Sequence, residues 1–106
     1  MSLTVYDWQD CTIAIGEATS SEVDLRNNCD FLQAIIPTLD TCTVKVQVSE
    51  NSGGTFYDLG SSQTTTSGTH NYATTFKLGH YRYVKLVASA NQDSAAVTIR
   101  VRGMKI

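Results

Sequence analysis

The sequence predicts an all-β domain, an antiparallel two-sheet sandwich of jelly-roll-like type, on three observations. Apolar residues alternate with period two in the clearest segments, as in "TVKVQVS", where Val44, Val46 and Val48 point one way and Lys45 and Gln47 the other. No window carries a sustained apolar stripe of period 3.6, and the one competitor, "DFLQAII", is stopped by Pro37. Short runs rich in branched and aromatic residues are separated by polar or glycine-containing breaks such as "GEATSS" and "RNNCD".

Along the chain, "LTVYDW", "CTIAI", "EVDL" and "FLQAII" read as short strands. "TVKVQVS" and "FYDL" flank "ENSGGT", in which Asn51, Gly53 and Gly54 accept positive φ, so these segments predict a β-hairpin. "HNYATTF" supplies another strand. In "YRYVKLVASANQDSAAVTIRVRGMKI", Val84, Leu86 and Ala88 share one face and Val97, Ile99 and Val101 share one face of the returning strand, which predicts a second hairpin closed by "SANQDSA". About eight or nine strands in a chain of this size fit two packed sheets.

At 106 residues the chain fits a single sandwich domain over residues 1–106, with residues 1–10 as an extended N-terminal arm. The low-complexity stretch "GSSQTTTSGTH", residues 60–70, reads as a connection between strands or a loop that orders against a partner. A net charge of −2 argues against nucleic acid or an anionic membrane as partner. The N-terminus has neither a basic segment nor a long apolar run, so synthesis in the cytoplasm without a signal peptide is the expectation.

Chemistry is sparse. Cys11, Cys29 and Cys42 match no zinc spacing and read as small apolar residues, with a Cys29–Cys42 bridge left open. His70 and His80 stand apart from any second ligand. No nucleophile elbow occurs, and "SGGT" lacks the lysine and helix of a phosphate loop. Glu22 and Asp24 alternate on one strand face, as an acid pair or as a solvated surface. The expectation is a protein with no catalytic residues, no cofactor and no metal.

Binding features are more plentiful. Trp8, Tyr57, Tyr72, Tyr81 and Tyr83 are candidates for a sugar-stacking platform, and Lys45, Lys85, Arg100 and Arg102 would form a basic stripe if their strands share one sheet. Leu3, Val5 and Trp8 near the terminus, and Ser67 in the low-complexity stretch, complete the set of partner-interface candidates.

The order "VDL" at 23–25, "IIP" at 35–37, "VQVSENSGGTFYDL" at 46–59 and "RYVKL" at 82–86 resembles small virion proteins encoded by tailed bacteriophages, over residues 22–106. In that group an aromatic usually follows the proline, where this chain has Leu39, and the glycine turn here is one residue longer. The resemblance implies a non-enzymatic phage virion protein. Its first candidate is a capsid decoration or cement protein on the head surface, a homo-trimer bound to the lattice of the major capsid protein. The alternative is a carbohydrate-binding or adaptor module of a tail, baseplate or fibre, with a glycan as ligand.

Overall fold

The computed structural model describes residues 3–39, 42–59, 64–66 and 71–106, and every strand in it is extended and antiparallel to its neighbours. In chain order these are β1 (Thr4–Val5), β2 (Gln9–Ile13), β3 (Val23–Ile36), β4 (Thr43–Ser49), β5 (Tyr57–Asp58), β6 (Thr64–Thr66), β7 (Tyr72–Ala88) and β8 (Val97–Lys105). The order across the sheet is β1-β8-β3-β7-β4-β5, with β2 also on β8 and β6 also on β4.

Two long strands make this a sandwich. β3 and β7 pair along most of their length, and both bend midway. Beyond the bend, residues 31–35 of β3 also pair with β8, which carries β1 and β2 end to end on its far side; this is layer one. Residues 83–88 of β7 pair with β4, which carries β5 and β6 end to end; this is layer two. The predicted two-layer architecture is present, with the ladder running continuously from one layer into the other through β3 and β7.

The bend has a local cause. Arg26, Gly79 and His80 all have positive φ (73°, 77° and 76°), and the β3–β7 register shifts on both sides of Cys29. A bulge inserts residues without breaking the pairing, and it also resets which side chains face inward. In β3 the buried positions change from odd (Val23, Leu25, Cys29) to even (Leu32, Ala34, Ile36), so both halves present apolar residues to one core. Four expected strands therefore become two: "EVDL" joins "FLQAII", and "HNYATTF" joins "YRYVKLVA". "DFLQAII" is strand, because its alternating side chains can cover a sheet on one face only.

The core is a single cluster to which both layers contribute. Val44, Val46, Val48, Val84, Leu86, Val97, Ile99 and Val101 are all buried, as the alternation predicts. Each such side chain removed from water contributes about 1.5–3 kcal/mol. Gly103 lies where a Cβ would stand 2.5 Å from the Cys29 sulfur, so the absent side chain makes room for a buried thiol. Cys11, Cys29 and Cys42 are all buried, and Cys29 and Cys42 form no disulfide bridge. Burial, with Asp30 nearby, pushes the Cys29 thiol up to about 11, and burial raises Cys11 as well.

The second predicted hairpin does not form. Residues 83–88 of β7 pair with β4 in layer two, while β8 pairs with β1, β2 and β3 in layer one, so the two runs belong to different layers. The segment between them crosses from one layer to the other and is anchored by the buried Gln92. Its backbone N–H donates to the Glu17 carbonyl, its carbonyl accepts from the Gly16 N–H, and its side chain donates to the Ala90 carbonyl. The first hairpin forms as predicted, with Gln47 opposite Asp58 and Val48 opposite Tyr57.

Residues 1–10 are laid against the domain where they are described. Thr4 and Val5 pair with Lys105 and Met104, the Tyr6 N–H donates to the Gly103 carbonyl, and Gln9 and Asp10 pair with Val101 and Arg100. Within residues 60–70, Thr64–Thr66 form β6 against β4; Ser67 and His70 lie outside the described residues.

Candidate functional site

Pairing and alternation together decide which of the candidate residues meet. On β8 the even positions face away from the core, opposite the buried Val97, Ile99 and Val101. Arg100 stands beside Ile35, Arg102 beside Gln33, and Met104 beside Phe31 on one side and Val5 on the other. The outer face of layer one therefore gathers Leu3, Val5, Trp8, Arg100 and Arg102.

This face combines an apolar edge with a fixed cationic centre. Leu3 is 57% exposed, Val5 44% and Ile106 55%, and the β1–β8 register brings all three to the same end of the sheet. Next to them the guanidinium carbons of Arg102 and Arg100 lie 4.3 Å and 5.4 Å from the centre of the half-buried Trp8 ring. Arg102 Nε donates to Gln33 Oε1 at 2.6 Å. Stacking on an indole and this hydrogen bond hold the long side chain in one orientation, which lowers the entropy lost on meeting a partner.

The basic stripe is divided. Lys45 and Lys85 lie on the outer face of layer two, Arg100 and Arg102 on layer one, because their strands are not in the same layer. Lys45 donates to Asp58 at 2.9 Å, and Lys85 sits 4.5 Å from the centre of the Phe56 ring. Hydrogen bonds from Gln47 and then Lys45 hold the Asp58 carboxyl below its ordinary value.

Glu22 and Asp24 are not an acid pair, because each has its own partner. Asp24 accepts a two-point contact from Arg82 at 2.7 and 3.0 Å and a further bond from the Arg26 N–H, which fastens the bend. The Arg82 contact holds its carboxyl low. Glu22 accepts from the Ser52 hydroxyl at 2.6 Å and the Gly53 N–H at 2.7 Å, so its carboxyl is held low and the β4–β5 turn is tied to the start of β3. His80 Nδ1 lies 3.3 Å from Asp30, which also accepts from the Ile106 N–H. Among the described residues no group of three or more His, Cys, Asp or Glu is placed to hold a metal ion.

The aromatic platform also separates. Trp8 belongs to layer one, Tyr72 is partly buried at the start of β7, and Tyr83 lies beneath Arg82. Tyr57 and Tyr81 lie on the same cleft, of about 290 Å³ at one end of the sandwich, which Ser49, Glu50, Asn51 and Thr55 also line. A second cleft, lined by Asn28, Glu50, Gly79, His80 and Tyr81, adjoins it. Glu50, Asn51 and Thr55 were not predicted. Their cleft exists because β7 runs beside β4, with Ser49 opposite Tyr83, and nothing local in "SENSGGTF" signals that neighbour.

No protein-family model matches the chain, and no curated protein matches it in sequence. Solved structures match in fold. A family 89 glycoside hydrolase from Clostridium perfringens aligns with 91% of this chain at a TM-score of 0.53 and 17% identity. The chain spans only 14% of that enzyme's length. The SPBc2 prophage-derived protein YomS aligns at a TM-score of 0.51 and 14% identity, over 94% of this chain and 96% of its own. At these identities the likeness is one of fold, and with YomS it runs end to end.

Proposed function

We propose that this chain is a non-enzymatic structural protein of a phage virion, a decoration or cement protein that docks on the head through the outer face of layer one. The observation that carries the reading is that face itself: an exposed apolar edge at Leu3, Val5 and Ile106, continuous with arginines fixed over Trp8. Exposed apolar groups next to immobilised cations suit a protein partner that offers apolar contacts and carboxylates. The end-to-end likeness to a prophage-derived protein supports a phage setting.

In this reading the partner is the repeating lattice of the major capsid protein. Three copies around a lattice three-fold axis turn a modest contact into a firm one, because the second and third engagements are effectively intramolecular. The alternative, a carbohydrate-binding module of a tail, baseplate or fibre, would use the end cleft instead of this face.

The test mixes purified protein with undecorated capsids and sediments them. Co-sedimentation at a fixed ratio to capsid protein is expected, with a trimer at saturation. Charge reversal by Arg102→Glu together with Val5→Asp should abolish it while the protein stays folded. Protein that remains in the supernatant at every concentration would overturn the reading.

A further inference from the structure

The end cleft is independent of the docking face and is built from different elements: the β4–β5 turn supplies Glu50, Asn51 and Thr55, β5 supplies Tyr57, and the bend of β7 supplies Tyr81. We propose that it is a saccharide-binding site, in which a pyranose ring stacks on Tyr57 while its hydroxyls bond to Glu50, Asn51 and Thr55.

Four observations support it. Tyr57 is 66% exposed, so a flat aromatic surface is presented to solvent beside the cleft and not used in the core. The polar lining supplies a carboxylate, a carboxamide and a hydroxyl, which together accept from and donate to the alternating hydroxyls of a sugar. Among the described residues the Glu50 carboxylate has neither a hydrogen bond nor an ion pair, unlike Glu22, Asp24, Asp30 and Asp58. The cleft of about 290 Å³ adjoins a second, and both contain Glu50 and Tyr81. Pockets that hold small ligands span roughly 300–1,000 Å³, and the cleft lies at the lower end of that range, the size for a single sugar ring.

The site is also held in shape before any ligand arrives. Glu22 fixes the turn from outside through Ser52 and Gly53, and the Gly54 N–H closes it on the Asn51 carbonyl at 3.1 Å. Ser49 Oγ accepts from the Asn51 N–H and donates to the Asn51 carbonyl. On the other side, His80 at φ 76° sits in a conformation that side chains rarely adopt, and this aims the chain so that Tyr81 reaches the cleft. A preformed turn reduces the ordering cost that usually limits weak sugar binding.

The chemistry excludes other ligand classes. An anion such as a phosphate or a nucleic-acid backbone would meet an unpaired carboxylate and, among the described residues, no lysine or arginine lining the cleft. An apolar ligand would bury Glu50, Asn51 and Thr55 without partners. A cationic peptide would satisfy Glu50 but leave the carboxamide and hydroxyl lining unused, and it serves as the competing outcome.

The test is an amide NMR titration of the intact protein at millimolar cellotriose, maltotriose and triacetylchitotriose, with trilysine as the competitor. At least one trisaccharide should shift the amides of residues 50–57 and 79–81 saturably. Tyr57→Ala should weaken that binding by about tenfold or more, and Glu50→Gln should weaken it too. The spectra of both variants away from the cleft report that the fold is intact. Trp8→Ala should leave saccharide binding unchanged, so loss of capsid docking and loss of sugar binding are separable. No saturable shift at those amides with any of the three sugars, or shifts with trilysine alone, would overturn the proposal.

Discussion

The outer faces of the two layers are built from the same alternation and finished differently. On layer two the cations are engaged within the chain: Lys45 with Asp58, Lys85 with Phe56, and Arg82 with Asp24. On layer one the arginines are stacked on Trp8, and the apolar edge of Leu3, Val5 and Ile106 is left facing solvent. A face whose cations already meet carboxylates, as Lys45 and Arg82 do, has little charge to offer a partner, whereas one whose arginines stack on a ring beside uncovered apolar edges gains by being covered. The difference lies in which side chains the neighbouring strands bring, since both faces rest on the same core.

The largest effect should test whether the layers do share that core. Leu86 belongs to layer two and Ile99 to layer one, both fully buried in one cluster. Truncating either to alanine should cost about 2–5 kcal/mol, and denaturant unfolding followed by near- and far-ultraviolet dichroism should remain a single transition. Two separate transitions would mean that the layers are independent units.

A smaller effect is expected at the bend. Gly103→Ala would drive a Cβ into the Cys29 sulfur and should destabilise by about 1–3 kcal/mol. Adding Cys29→Ala should recover most of that loss, because the new methyl group takes the space of the removed sulfur. If the double variant is no more stable than Gly103→Ala alone, the close approach is not the reason for the glycine.

Acid should separate the layers by degree. Glu22, Asp24 and Asp58 have carboxyls held low by their hydrogen bonds and act on layer two or its turn, whereas on the layer-one side Asp30 is held low chiefly by the Ile106 N–H beyond the end of β8. A folded value below the unfolded one gives stability that is present above the ordinary carboxylate range and is lost as pH falls through the folded value. Thermal midpoints should therefore decline below about pH 4. Hydrogen exchange should quicken at Gly53 before it does along β8. Glu22→Gln should bring much of that faster exchange at Gly53 to neutral pH. Exchange rising first along β8 would contradict this assignment.

The smallest effect is expected for Trp8→Ala, which removes the surface on which two arginines stack. About 0.5–2 kcal/mol of stability is at stake there, and the Arg102 side chain should become more mobile.

Much of the sandwich was legible because burial imposes period two. The eight buried residues named from alternation, and the β4–β5 hairpin named from "NSGG", needed only local information. Alternation does not say which strand lies beside which. Val84–Leu86 and Val97–Ile99 read equally well as hairpin neighbours or as residues facing each other across the core, and only the pairing of β8 with β3 decides it. The same ambiguity left it open whether Lys45 and Lys85 share a stripe with Arg100 and Arg102. "HNYATTF" and "YRYVKLVA" read as separate strands, yet Gly79 and His80 between them form a bulge through which pairing continues. The end cleft was hidden because its walls come from residues 49–57 and 79–81, brought together by the β4–β7 pairing.

Hydrogen–deuterium exchange on the protein bound to capsids, compared with the free protein, tests the central claim most directly. Docking through layer one predicts slowed exchange along β1 and β8 and in residues 31–35 of β3, with β4 and β5 unchanged. Protection confined to β4, β5 and the turn between them would contradict the account and move the interface to the opposite side of the molecule.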